Sequence, residues 1–145
     1  YDDIRIDNNP ILSTLQLPLL AELGGGLALT HNNALVSISL PALQLIAGDL
    51  VVTDAQTLNS LLLPALITLT GSLTLSDNPA FLYAGFPAGF DVLGTSFVVI
   101  NNAAWACSDV DELFCQGGGT TTTPVTYLNS NNKNACSSPR PVCAP

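Results

Sequence analysis

Residues 48–93 read GDLVVTDAQTLNSLLLPALITLT and then GSLTLSDNPAFLYAGFPAGFDVL, two segments of 23 residues that superpose without a gap. Gly48 and Gly71 head the segments, Pro64 and Pro87 share one offset, and leucines align between them. The interval extends outward: Pro18, Pro41, Pro64 and Pro87 recur every 23 residues, as do Gly25, Gly48, Gly71 and Gly94. Upstream lie DDIRIDNNPILSTLQLPLLAELG and GGLALTHNNALVSISLPALQLIA, and downstream a degenerate GTSFVVINNAAWAC with one residue inserted before Phe97. Two independent punctuation residues keeping one period mark a structural repeat, and repeats of this length build solenoids.

The columns of the repeat carry the physics. Ile4, Leu27, Leu50 and Leu73 form one apolar column, and Ile6, Leu29, Val52 and Leu75 a second, two positions on. That spacing places both on one face of a short strand and turns Arg5, Ala28, Val51 and Thr74 to the other. Leu12, Leu35, Leu58 and Phe81 make a third inward column. Leu15, Ile38 and Leu61, with Leu17, Leu40 and Leu63, mark a second extended segment before the proline. Leu20, Leu43 and Leu66, with Leu23, Ile46 and Leu69, complete the ring. A single unit cannot bury its own apolar face, but stacked units bury a continuous core. Glycine at the head of each unit is expected to permit a corner with positive φ, and proline to set the next corner without using a ladder donor. Asn9, Asn32, Asn78 and Asn102 share a column broken by Ala55, and are expected to stack and satisfy corner backbone groups.

Composition narrows the functions. The chain has 145 residues, a formal net charge of −8, 48% hydrophobic residues and 10% charged ones, a balance that excludes disorder. Three Lys and Arg in total cannot track a phosphate backbone, so no nucleic-acid partner is expected. The uncharged run 55–76 is the nearest imitation of a membrane span, but Gln56, Asn59, Ser60, Pro64, Gly71 and Ser72 interrupt it, so no transmembrane segment is expected. Tyr1 is no initiator methionine and no charged-then-apolar leader follows it, so it reads as a processed or cut end.

The run GDLVVTDAQTLNSLLLPALITLTGSLTLSDNPAF resembles the receptor L domain family, whose coils run G-x-L-x-I-x-x-N-x-x-L-x-x-L-x-x-L-x-x-I and which has related units in fungal and microbial cell-surface glycoproteins. The likeness spans residues 2–106, and leucine-rich repeats have a neighbouring pattern. It implies an all-β, right-handed single-stranded β-helix, an extracellular location, and a binding or structural role without catalysis or cofactor. This chain differs from the family in its strict period, its few charges, its four and a half coils and its lack of a cysteine-rich N-terminal cap. The expected organisation is β-solenoid repeats over 1–106, a C-terminal cap over 107–116, a Gly/Thr linker over 117–124 and a Cys-containing tail over 125–145.

Cys107, Cys115, Cys136 and Cys143 lie in or beside a Pro- and Ser-rich terminus that cannot form its own core, so disulfides linking cap and tail are expected rather than free thiols. Oxidising conditions follow, hence a secreted or cell-surface protein. No C-x2-C pair or adjacent histidine points to zinc. Of the three pairings that four cysteines allow, the nearest-neighbour one, 107 with 115 and 136 with 143, is expected. The acidic segment after Cys107 reads as a capping helix with Ser108 as N-cap and Asp111 and Glu112 in its first turn. Thr120, Thr121, Thr122 and Thr123 form an O-glycan candidate or a bare polar linker, and Val125, Thr126, Tyr127 and Leu128 form a β-prone stretch able to pair with a sheet edge.

At the other end, Tyr1 leads directly into the first strand, so the undersides of Ile4, Ile6, Leu12, Leu15 and Leu17 call for a cover. Residues upstream supply one answer. A neighbouring molecule's cap or tail supplies another, and that head-to-tail contact, involving Tyr1, Ile4, Ile6, Val125 and Tyr127, grows filaments because it does not close.

Candidate chemistry is sparse. Asp54 and Asp77 share a column on adjacent coils, with Asn8 and His31 at equivalent positions. Carboxylates ~5 Å apart suit retaining glycosidases, but a mixed polar column reads first as a solvated corner. His31 reads as an exposed corner residue rather than a base. Asp109, Asp111 and Glu112 lack the loop spacing of a calcium cage. Gly24, Gly25 and Gly26 precede a strand, not the helix a phosphate loop requires. The outward pairs Ala28 and Thr30, Val51 and Thr53, Thr74 and Ser76 form a column of methyls and hydroxyls similar to ice-binding solenoid faces, and read first as an uncharged sheet face for a partner. The leading expectation is therefore an extracellular, non-enzymatic structural or adhesive module whose partner is protein, including another copy end to end, or glycan. The alternatives are a ligand-recognition domain of a larger surface receptor and, third, an ice-binding or polysaccharide-cleaving solenoid.

Overall fold

The computed structural model describes residues 2–116, 126–133 and 143. Each repeat forms one coil of three short strands. The first coil holds β1 (Ile4–Asp7), β2 (Thr14–Gln16) and β3 (Glu22–Leu23), and the second β4 (Leu27–Thr30), β5 (Ser37–Ser39) and β6 (Leu45–Ile46). The third holds β7 (Leu50–Thr53), β8 (Ser60–Leu62) and β9 (Thr68–Leu69), and the fourth β10 (Leu73–Ser76), β11 (Tyr83–Gly85) and β12 (Asp91–Val92). Then come β13 (Ser96–Ile100), the cap helix α1 (Cys107–Gln116) and β14 (Thr126–Ser130). Equivalent strands stack in parallel into a first sheet, β1-β4-β7-β10-β13-β14, a second, β11-β8-β5-β2, and a third, β12-β9-β6-β3. The protein is an all-β parallel solenoid.

Register follows the repeat. Leu27 pairs with Leu50 and Leu50 with Leu73, and the one-residue insertion is absorbed before Phe97, which pairs with Leu73. A one-residue slip would turn every inward leucine to solvent, which is why the strict apolar columns select this register. Leu27, Leu35, Ile38, Leu40, Leu43, Leu50, Leu61 and Leu73 are wholly buried. Their first-coil counterparts Ile4, Ile6, Leu12, Leu15, Leu17 and Leu20 are only partly buried, because no described residue packs beneath them.

The corners divide the work differently from the sequence expectation. Proline acts as expected: Leu20 N–H bonds Leu17 O and Leu43 N–H bonds Leu40 O, closing turns with Pro18 and Pro41 at the second position. Gly25, Gly48, Gly71 and Gly94 do not have positive φ. A Cβ on Gly48 would lie 2.6 Å from the Gly26 nitrogen, and one on Gly71 or Gly94 would run into the glycine backbone of the coil before it. The glycine column thus exists so that backbone can stack on backbone. The left-handed corner falls on the residue after each first-sheet strand instead: Asn8 (φ 54°), His31 (55°), Asp54 (56°), Asp77 (58°), Asn101 (58°) and Asn131 (55°). Asn, Asp and His are the non-glycine types that enter this region most readily.

The next column is the asparagine ladder. Asn32 Oδ1 accepts the N–H of Asn9 at 3.0 Å while its Nδ2 donates to Ile6 O at 2.9 Å. Asn78 bonds Ala55 and Val52 in the same way, Asn102 bonds Asn78 and Leu75, and Asn132 bonds Asn102 and Val99. Each amide therefore ties its corner to the coil below. These four asparagines are buried yet fully satisfied.

At the C-terminal end, Val110, Leu113 and Phe114 of α1 cover the core, and β14 adds the last strand of the first sheet beside β13. Ser108 is not the N-cap: the helix begins at Cys107, Ala106 O receives the N–H groups of Asp109 and Val110, and the Ser108 hydroxyl turns to Asp109. The nearest-neighbour disulfide pairing is also corrected. Cys115 joins Cys143, with Cα atoms 5.3 Å apart across 28 residues, and Cys107 is itself disulfide-bonded. β14 returns the chain to the start of α1, where the Cys107 N–H bonds Lys133 O, so the tail, not the helix itself, supplies Cys115 with its partner. Cys136 lies outside the described residues.

Candidate functional site

The first sheet has six strands against four in each of the others, and its outer face is a regular surface. Ala28, Val51 and Thr74 form one outward column, Thr30, Thr53 and Ser76 the next, all half-buried except Ser76, which is buried. The structure lengthens both. Val98 and Leu128 continue the first column and Ile100 and Ser130 the second, through the pairings of β10 with β13 and β13 with β14. Five rungs of uncharged side chains result, and Leu128 leaves about half of its surface exposed. The inserted residue before Phe97 and the excursion through α1 hide this continuation from the 23-residue comb. The interleaved columns alternate because strand side chains do.

Charge is confined to the first rung and the flanks. Arg5 and Asp7 occupy the first rung. The Thr30 hydroxyl donates to Asp7, and the His31 Nδ1 lies 3.1 Å from the same carboxylate oxygen. These two hydrogen bonds hold Asp7 below the usual aspartate range. His31 Nε2 is 3.7 Å from Asp54 Oδ2, so the imidazole bridges two coils. Further along, Asn101 Nδ2 donates to Asp77 Oδ1 at 2.7 Å and Asn131 Nδ2 to Asn101 Oδ1 at 2.9 Å. Asp54 therefore has His31, and Asp77 has Asn101, as a polar neighbour within the corner column. On the opposite flank, Asp3 Oδ1 accepts the Gly26 N–H at 2.7 Å, so the protein's own carboxylate occupies that glycine-rich corner.

The cap organises the last rung. Tyr127 packs against Phe97 and Phe114, with ring centroids 5.7 and 4.5 Å away, and its hydroxyl donates to Asp111. Burial, reinforced by the Asp111 hydrogen bond, pushes its phenol well above the ordinary tyrosine range. Asn129 Nδ2 donates to the same carboxylate at 2.8 Å and to Cys107 O at 3.2 Å. Asp111 is thus an internal strut. Ile4 and Ile6 lie half-buried on β1, whereas Tyr1, Val125 and Thr120, Thr121, Thr122 and Thr123 lie outside the described residues.

A cleft between α1 and β11, lined in part by Tyr83 and Glu112, escaped the sequence reading. Its signal is present: Tyr83 stands in an outward column otherwise made of Thr14, Ser37 and Ser60. Among the described residues, no helix is long and apolar enough to cross a membrane. Comparison with protein-family models, curated proteins and solved structures finds no match to this chain.

Proposed function

We propose that this chain is an extracellular, non-catalytic module of the receptor L domain type, working as a structural and adhesive surface unit. The five-rung uncharged face of the first sheet carries the reading. Val and Thr side chains on a strand have few rotamers to lose, so a partner docking there orders little on binding. The partner is a protein or a glycan surface. The Cys115–Cys143 disulfide supports an oxidising location.

The partly buried first coil favours end-to-end self-association as a further part of this role. Head-to-tail contact would bring that underside against α1 and the outer edge of β14. The ligand-recognition alternative uses the same sheet face within a larger receptor.

Adhesion of labelled protein to intact cells or matrix of its source tests the reading. Val51→Arg and Thr74→Arg place charge at the centre of the face while leaving the core alone. Retained adhesion in both variants would defeat the proposal. Sedimentation of the unlabelled protein separates fibres from isolated particles.

A further inference from the structure

A cleft of about 330 Å³ separates the cap helix from the last strand of the second sheet. One wall is a single face of α1, because Asp109, Glu112, Leu113 and Gln116 follow helical spacing. Tyr83 lines the cleft from β11, a residue 57% exposed although it stands on a strand. The rest of the lining is apolar. Phe86 is steadied by stacking on Phe90 at 4.6 Å, and Trp105 by an edge contact with Phe81 at 4.9 Å.

The charged groups lining the cleft, Asp109 and Glu112, are of one sign. Gln116 Nε2 donates to Glu112 Oε1 at 3.0 Å and the Ser108 hydroxyl to Asp109 Oδ1 at 3.2 Å, so neutral donors orient both carboxylates. Among the described residues, no Lys or Arg lines the cleft. A cleft that gathers an aromatic ring, two oriented carboxylates and the apolar Phe86, Trp105 and Leu113 suits a cation on a hydrocarbon stem. The stem covers the apolar lining, the charge meets the carboxylates, and the ring adds a cation–π contribution. A neutral sugar would stack on Tyr83 but would gain no charge compensation from the carboxylates.

We propose that this cleft is a recognition pocket for a Lys or Arg side chain presented by a partner protein. The pocket lies on different elements from the outer face of the first sheet, so it stands whether or not that face is adhesive.

Trp105, the chain's one tryptophan, lines the cleft and reports on its occupancy. The experiment titrates the full-length protein with Nα-acetyl-lysine methylamide and Nα-acetyl-arginine methylamide while following Trp105 emission. Saturable binding is expected, weakened by about tenfold in Glu112→Gln and in Tyr83→Ala, weakened by salt, and unchanged in Asp91→Asn, which alters a carboxylate outside the cleft. Acetylation of the lysine Nε should abolish the response. The proposal is overturned by absence of saturation at tens of millimolar ligand, by equal affinity in both cleft variants, or by tighter binding of a neutral oligosaccharide. Glu112 and Tyr83 are exposed, and the far-ultraviolet spectrum of each variant confirms that it is folded before titration.

Discussion

Asn78 Oδ1 accepts the main-chain N–H of Ala55, 23 residues earlier, at 2.9 Å, while its Nδ2 donates to Val52 O at 3.0 Å. One side chain thus replaces a missing backbone ladder at the corner and clamps the fourth coil to the third. Ala55 has no side-chain amide, so the third coil lacks the equivalent clamp onto the second.

Asn78→Ala should therefore destabilise the protein by about 2–4 kcal/mol, because it strands a buried N–H and a buried carbonyl together. Ala55→Asn should stabilise it by about 1 kcal/mol, with Oδ1 accepting from Asn32 N–H and Nδ2 donating to Leu29 O. Urea unfolding midpoints check both. A loss of stability in Ala55→Asn would mean that the corner cannot take the amide.

The glycines separate two physical causes. Gly71→Ala should prevent folding or cost more than about 3 kcal/mol, since its Cβ meets the Gly48 backbone. Gly89 has φ 79° with open space where a Cβ would stand, so Gly89→Ala should cost only about 1–2 kcal/mol of backbone strain. Circular dichroism melts of the two variants rank them.

The disulfide Cys115–Cys143 encloses the segment containing β14. Replacing both cysteines with serine should lower stability by about 2–4 kcal/mol. Contacts in a solenoid run only between neighbouring coils, so the loss should concentrate at the cap. Near-ultraviolet signals from Trp105 and Tyr127 should then disappear at lower denaturant than the far-ultraviolet β signal. Coincident transitions would contradict this.

Asp7 predicts a pH dependence. Its folded-state pKa is depressed below 3.8, first by the Thr30 hydroxyl and then by His31. A depressed carboxyl contributes stability that is fully present above the unfolded pKa and is lost as pH falls through the folded one. Carbon-detected titration should show Asp7 ionising below 3.8, and Thr30→Val should move it upward.

Much of the architecture was legible because side-chain columns at constant spacing have one cheap explanation. The inward leucines, the proline turns and the asparagine ladder all follow from it. The corner chemistry was not, because glycine's two virtues, conformational freedom and small size, look alike in one dimension. The φ of His31 and the steric need at Gly71 are distinguishable only once coils stack. Cys143 bonds Cys115 after β14 has added a further parallel strand to the first sheet, a long-range event that nearest-neighbour spacing cannot reveal. The cleft was hidden for a related reason: Tyr83 and Glu112 meet across elements with no common period.

The strands of Gly48 to Thr70 pair in one register with the coil on either side. Duplicating that segment should lengthen the molecule by about 4.8 Å, one inter-strand spacing, while the disulfide-bonded end stays as it is. Reach thereby becomes a heritable dimension, tuned by copying a stretch of DNA, and each added coil extends the uncharged face by one rung.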